Sequence, residues 1–392
     1  MQHLSRRMCT LPAMPNHMSD GLPEPDCITG APHPRATAQL YGQSRAEDAF
    51  LAAFNTGRLH HGWLLTGPRG VGKATLAWRI ARFLLTLPAD DGGMFGAPPP
   101  PTTLDTPADT PTARRLAQLA EPRLFLLRRG PNEKATALMT VISVDEVRKM
   151  KSFFALSAAD GGRRVAIIDA ADDMNTSAAN ALLKLLEEPP AGVTFLVISH
   201  QPQSLLPTIR SRCRELRLAP LAAVALSDAL TLAGGDVAPE GSAALAELAG
   251  GSVGEAFRMT NLEGLQTYQT IITLMDSLPR LDRPRAIALA ETASGKGNEA
   301  AFDLTLNLID LFLARLARTG ATGQTPPPAA RGEAALLARL SANAHHARAW
   351  AELAQTLGIR ARKGRAVNLD PAALLLDTLL KIDMMAASLP RG

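Results

Sequence analysis

Cysteine is scarce in this chain of 392 residues: Cys9, Cys27 and Cys213 are scattered and odd in number. That excludes a disulfide framework and a four-cysteine zinc site, and it fits a reducing, cytoplasmic setting. Aromatic residues make up only 4%, which leaves little to build a base-stacking surface for single strands. No apolar run approaches the roughly 20 residues that cross a bilayer, so a membrane-spanning helix is excluded. An excess of one charge is also small. Lys and Arg number 41 against 37 Asp and Glu, a net +4 with no long basic run, so nucleic-acid contact is permitted but not demanded. Arg6 and Arg7 are followed by Pro12, Pro15 and Asn16 in place of an apolar core, which excludes a secretory signal.

Hydrophobic residues at 46% and charged residues at 20% describe an ordinary folded protein. The length exceeds what one hydrophobic core fills, so two or three domains are expected. Residues 1–35 show no periodicity and read as a flexible leader. The polar segment from Met18 looks like a natural start, so residues 1–17 are expected to be dispensable. Residues 36–220 read as an α/β domain with a mostly parallel sheet, because apolar runs at 61–66, 123–129, 163–169 and 194–199 alternate with helical stretches. A proline-rich insert at 88–111 interrupts it, since proline neither continues a helix nor donates to a ladder. Beyond Pro220 only helical patterns remain: a lid-sized unit at 221–275 and a longer one at 276–392, the latter broken by an expected flexible stretch from Gly320 to Gly332.

The strongest local motif is Gly67-Pro68-Arg69-Gly70-Val71-Gly72-Lys73, which matches GxxxxGK between an expected strand and an expected helix. Such a loop wraps phosphate oxygens with backbone N–H groups, and its lysine neutralises the terminal phosphates. The next residue is Ala74, where a Ser or Thr hydroxyl normally ligates Mg²⁺. Thr75 lies about 100° further around the helix and does not replace it. Asp169 closes the apolar strand at 163–169, in the position of a Mg²⁺-orienting acid. It is followed by Ala170 and not by a glutamate able to polarise water. The tripeptide Ser211-Arg212-Cys213 is weak alone. Its bland readings are a surface arginine and a small buried thiol.

Taken in order, HHGWLLTGPRGVGKATLA (60–77), VRKMKSFFALSAADGGRRVAIIDAADDMNTSAANALLKLLEEPP (147–190) and FLVISHQPQSLLPTIRSRC (195–213) resemble the clamp-loader branch of the AAA+ ATPases. The resemblance implies a P-loop α/β domain (36–220), a helical lid and an all-α collar. It implies a phosphate cradle at Gly67, Gly70, Gly72, Lys73 and Thr75, with Asp169 as the strand-end acid and Ser199 at the sensor-1 position. It implies that Arg212 is an arginine finger given in trans. Gly254 stands where an active subunit carries a sensor-2 arginine.

Ala74, Ala170 and Gly254 each remove part of the chain's own ATP site while Arg212 is kept. That pattern implies a non-motor subunit with no required cofactor, no metal and at most weak ATP binding. The implied partners are the gamma/tau and delta subunits of a bacterial DNA polymerase III loader and, through that complex, a sliding clamp and primed DNA; a membrane is not among them. Two alternatives stay open: an active gamma/tau-type ATPase subunit, and an unrelated P-loop ATP-binding protein or kinase.

Overall fold

The computed structural model describes residues 24, 27–28, 30–37, 39–87, 99–132, 134, 136–156, 162–235, 238–295, 297–366 and 369–389. Most of the expected leader, and residues 88–98 of the proline-rich insert, lie outside them. The first part runs α1 (Ser44–Asn55), β1 (Gly62–Thr66), α2 (Lys73–Thr86), α3 (Pro111–Ala117), β2 (Leu124–Arg128), α4 (Val144–Leu156), β3 (Arg164–Asp169), α5 (Thr176–Glu187), β4 (Val193–Ile198), α6 (Pro207–Arg210) and β5 (Arg214–Arg217). The five strands form one parallel sheet in the order β2-β3-β4-β1-β5.

The apolar runs became strands because both faces of the sheet are covered. Trp63, Leu65, Val165, Ile167, Leu196 and Ile198 point to the side packed by α1 and α2. Leu64, Ala166, Ile168, Phe195 and Val197 point to the side packed by α4 and α5. Caps define the helix starts: the Asn175 side chain accepts from the Ala178 N–H at 2.8 Å, one residue before α5 begins. The crossover from β1 leads toward β2 and that from β4 leads toward β5, so β4 and β1 flank a topological switch point. Ligands bind at the carboxyl ends of strands at such a point.

Two segments read as loose from sequence are tied down. Glu24, within the expected leader, meets Arg35 at 2.7 Å, His33 at 3.1 Å and Arg128 of β2 at 3.4 Å. Residues 30–36 lie against the α/β domain, so the leader ends before residue 35. In the described half of the insert, Leu104 is buried, Asp105 pairs with Arg79 at 2.9 Å, and the Asn55 amide donates to the Pro101 carbonyl at 3.0 Å.

The remaining elements are helical: α7 (Ala223–Leu232), α8 (Pro239–Leu248), α9 (Val253–Asn261), α10 (Gly264–Met275), α11 (Arg283–Ser294), α12 (Glu299–Thr322), α13 (Glu333–Leu340), α14 (Ala344–Ala366) and α15 (Pro371–Ser388). The stretch 320–332 corrects a sequence expectation. Gly320 is buried inside α12, and the triple-proline segment is pinned by the fully buried carboxylate of Glu333. That carboxylate accepts from Arg315 Nε and Tyr268 Oη, both at 2.6 Å, and from the backbone N–H groups of Ala329 at 2.6 Å and Ala330 at 3.3 Å. Arg315 also donates to the Pro327 carbonyl at 2.5 Å. The chemistry holding the loop is long-range and polar, so no local pattern announces it.

Removing one partner of a buried ion pair leaves the other charge uncompensated. Glu333→Ala is therefore expected to destabilise the helical part by about 3–5 kcal/mol. Denaturant unfolding followed by circular dichroism checks this, and a midpoint equal to wild type would contradict it.

Candidate functional site

β1 is buried on both faces, which fixes the strand end from which residues 67–72 turn into α2. Gly70 has φ +74°, and a Cβ added there would lie 2.2 Å from Ser252 Oγ and 2.9 Å from the Gly254 nitrogen. The Gly254 N–H donates to the Gly70 carbonyl at 3.3 Å. A Cβ at Gly254 would in turn lie 2.8 Å from Ile28 Cδ1 and 3.3 Å from Gly70 Cα. The start of α9 is thus seated on the phosphate loop, backbone against backbone. At Gly254, the position where the resemblance places an arginine, a Cβ would press on the end of the Ile28 side chain and crowd Gly70 Cα. Buried Gln43 braces the loop from behind: its amide donates to the Val71 carbonyl at 3.1 Å and to the Ala219 carbonyl at 2.7 Å.

Lys73 is buried, and its Nζ donates to the Gly67 carbonyl at 2.6 Å and to the Pro68 carbonyl. Burial pushes its ammonium down to about 8, although Asp172 and Asp169 pull the other way. Thr75 is half-buried one residue beyond Ala74.

Ser199, the expected sensor, is fully buried and donates to Asp172 Oδ1 at 2.7 Å. The His200 and Gln201 N–H groups also donate to Asp172, at 2.5 and 3.1 Å. Burial alone would raise the Asp172 carboxyl; the bonds from His200, Ser199 and Gln201 hold it below the usual carboxylate range. The His200 imidazole is pushed down to about 4 by burial and by the Lys73 and Arg69 charges. Sequence reasoning gave Asp172 and Gln43 no role. The acid in the run Asp169-Ala170-Ala171-Asp172 was the available signal for the first; nothing local marked the second.

Arg212 sits elsewhere. It precedes β5, whose Arg214 pairs with Trp63 near the start of β1, whereas the phosphate loop follows the end of β1. The strand between them spans about 16 Å at ~3.3 Å per residue. Arg212 is therefore at the opposite edge of the sheet from its own phosphate loop. Its guanidinium is engaged within the chain: Nη2 pairs with Glu187 Oε1 at 2.9 Å, and Nη1 donates to the Thr208 carbonyl at 3.1 Å.

A P-loop of this kind implies a Mg²⁺–nucleotide, and the residues present do not fit a hydrolytic metal site. Ala74 offers no oxygen at the position where such a loop ligates the metal, and Ala170 offers no base to activate water. The loop's N–H groups at the start of α2 are suited to phosphate.

The sheet order, the glycine-rich loop after β1 and the acid ending β3 are those of a P-loop α/β fold, followed here by helices. Residues 42–222 match the family described as DNA polymerase III, delta subunit. The chain is similar to the delta' subunit of DNA polymerase III from Pseudomonas aeruginosa, 38% identical over 49% of this chain and 53% of that protein. It is also similar to the delta' subunit from Bacillus subtilis, 30% identical over 56% of this chain and 60% of that protein. The gamma/tau subunit of Mycobacterium tuberculosis is 30% identical over 46% of this chain and 28% of its own length. The chain spans about half the length of the delta' relatives it matches. Among solved structures, a gamma-subunit-related protein from Thermotoga maritima covers 86% of this chain and 99% of its own, with a TM-score of 0.39 and 17% identity. The resemblance read from the motifs is thereby borne out.

The Lys73 environment sets a pH dependence. Its folded value near 8 lies below the ordinary 10.5, so between those pH values the unfolded chain binds the proton more tightly. Stability then rises with pH across that window, by about 3 kcal/mol at most, and the full penalty stands below pH 8. Denaturant melts at pH 7.5 and 10.5 are expected to show wild type gaining on Lys73→Met; parallel behaviour would contradict it.

Proposed function

We propose that this chain is a clamp-loader subunit of DNA polymerase III, of the delta' kind. In this reading it hydrolyses no ATP itself and lends Arg212 to the nucleotide held by a neighbouring gamma/tau subunit. The observation that carries the reading is the separation of the two features across the sheet. A finger some 16 Å from its own phosphate loop serves only another molecule's site. The guanidinium is charged at any working pH and offers forked donors to phosphate oxygens, and such fingers contribute roughly 10³–10⁵ in rate in other nucleotidases.

The chain's own loop supports the non-motor role. With Ala74 in place of a metal-ligating hydroxyl, Ala170 in place of a base and Gly254 flush against Gly70, the groups that hydrolysis uses are replaced by small residues. The active gamma/tau-type alternative has to work without all three. The kinase alternative calls for an arginine-rich lid in one globular domain, whereas α10 to α15 form a long helical continuation.

The test is a complex reconstituted from this chain with gamma/tau and delta subunits, assayed for ATP turnover and clamp loading on primed DNA. Arg212→Ala is expected to cut loading by at least about tenfold with assembly intact, and Arg212→Lys to fail substantially, since one ammonium does not reproduce a fork. Arg210→Ala is the control; Arg214 serves less well because its guanidinium lies over the Trp63 ring at 5.4 Å. Wild-type loading by Arg212→Ala, or steady ATP turnover by the isolated chain that is lost on Lys73→Ala, would overturn the proposal.

A further inference from the structure

We infer that Glu187 is the positioning residue for Arg212, an inference that rests on the trans-finger reading above. Glu187 is the last residue of α5, followed by Glu188, Pro189 and Pro190. Two carboxylates at a helix C-terminus oppose the helix dipole, whose unsatisfied carbonyls there already carry negative partial charge. Helix stability does not explain an acid at that point. Its contact does: Glu187 Oε1 lies 2.9 Å from Arg212 Nη2, between side chains 42% and 37% exposed.

The guanidinium has five N–H donors. One goes to Glu187 and one to the Thr208 carbonyl, at 2.9 and 3.1 Å. The two anchors approach from different elements, α5 and the turn around α6, and they leave the other three donors for phosphate oxygens. Both anchors stand on fixed backbone. The His61 ring bonds the Leu186 carbonyl at 3.0 Å, tying the end of α5 to the start of β1, and β1 is paired with β5 directly after Arg212.

An exposed ion pair adds little to stability, so the role left for this one is order. Arginine carries rotamer freedom that docking removes, and a side chain already held by two anchors loses less at the moment a neighbour's phosphate arrives.

The experiment uses the reconstituted loader with this chain as wild type, Glu187→Gln, Glu187→Asp, Arg212→Ala and the Glu187→Gln/Arg212→Ala double variant. ATP kcat and KM are measured at saturating primed DNA, with assembly followed by gel filtration. Glu187→Gln is expected to lower kcat about three- to tenfold with KM and assembly unchanged. Glu187→Asp should recover at least half of that loss, and the double variant should match Arg212→Ala. A slow Arg212→Ala beside a wild-type Glu187→Gln overturns this inference and leaves the finger standing. So does a double variant slowed further by the same factor. A wild-type rate for Arg212→Ala overturns both.

Discussion

The backbone of Gly254 rests on the backbone of Gly70, and much of the molecule is arranged around that contact. It needs glycine at Gly70, where φ is left-handed and an added Cβ would strike Ser252 Oγ and the Gly254 nitrogen, and it leaves little space beside Gly254. It sets the distance between lid and phosphate loop, places Ser252 as the cap of α9 over the loop, and brings Ile28 of the N-terminal segment onto the same spot. The Leu221 N–H donating to the Gly251 carbonyl at 2.9 Å closes the joint from the hinge side. The seam is held by main-chain hydrogen bonds, so a shift along it leaves backbone groups unpaired.

The two edges of the sheet thereby take on different characters. At the carboxyl edge the groups are inward-looking: Lys73 bonds its own loop, Ser199 bonds Asp172, and Gln43 stitches the loop to Ala219. At the amino edge Arg212 and Glu187 face solvent. A parallel sheet separates its strand ends in this way for free, since every strand runs in the same direction and loops of one kind gather at one edge.

Much of the α/β part was legible because its signals are local. Doubly buried strands read as apolar runs, GxxxxGK fixes a turn, and the prolines after Glu188 stop α5. The Ala74, Ala170 and Gly254 departures were legible by position, and the structure added a steric reason only for the last. What escaped was set by long-range partners. Glu24 gave no sign of two arginines and a histidine converging on it, Gln43 reaches Ala219 across 176 residues, and Glu187 stands in a helix far from Arg212 in sequence. A carboxylate's partner is a property of the fold, and only the carboxylate is written in the chain.

The same principle makes the Glu333 carboxylate more than a support for a loop. Its donors come from α10 through Tyr268, from α12 through Arg315, and from the chain just ahead of α13. It thus bridges helices on both sides of residue 275, where composition suggests a boundary between two units. A point shared by three elements ties α10 to α12, and α10 packs against α9, whose first turn carries Gly254. An unbroken series of contacts therefore runs from the buried Glu333 carboxylate, through the helices, to the phosphate loop at Gly70.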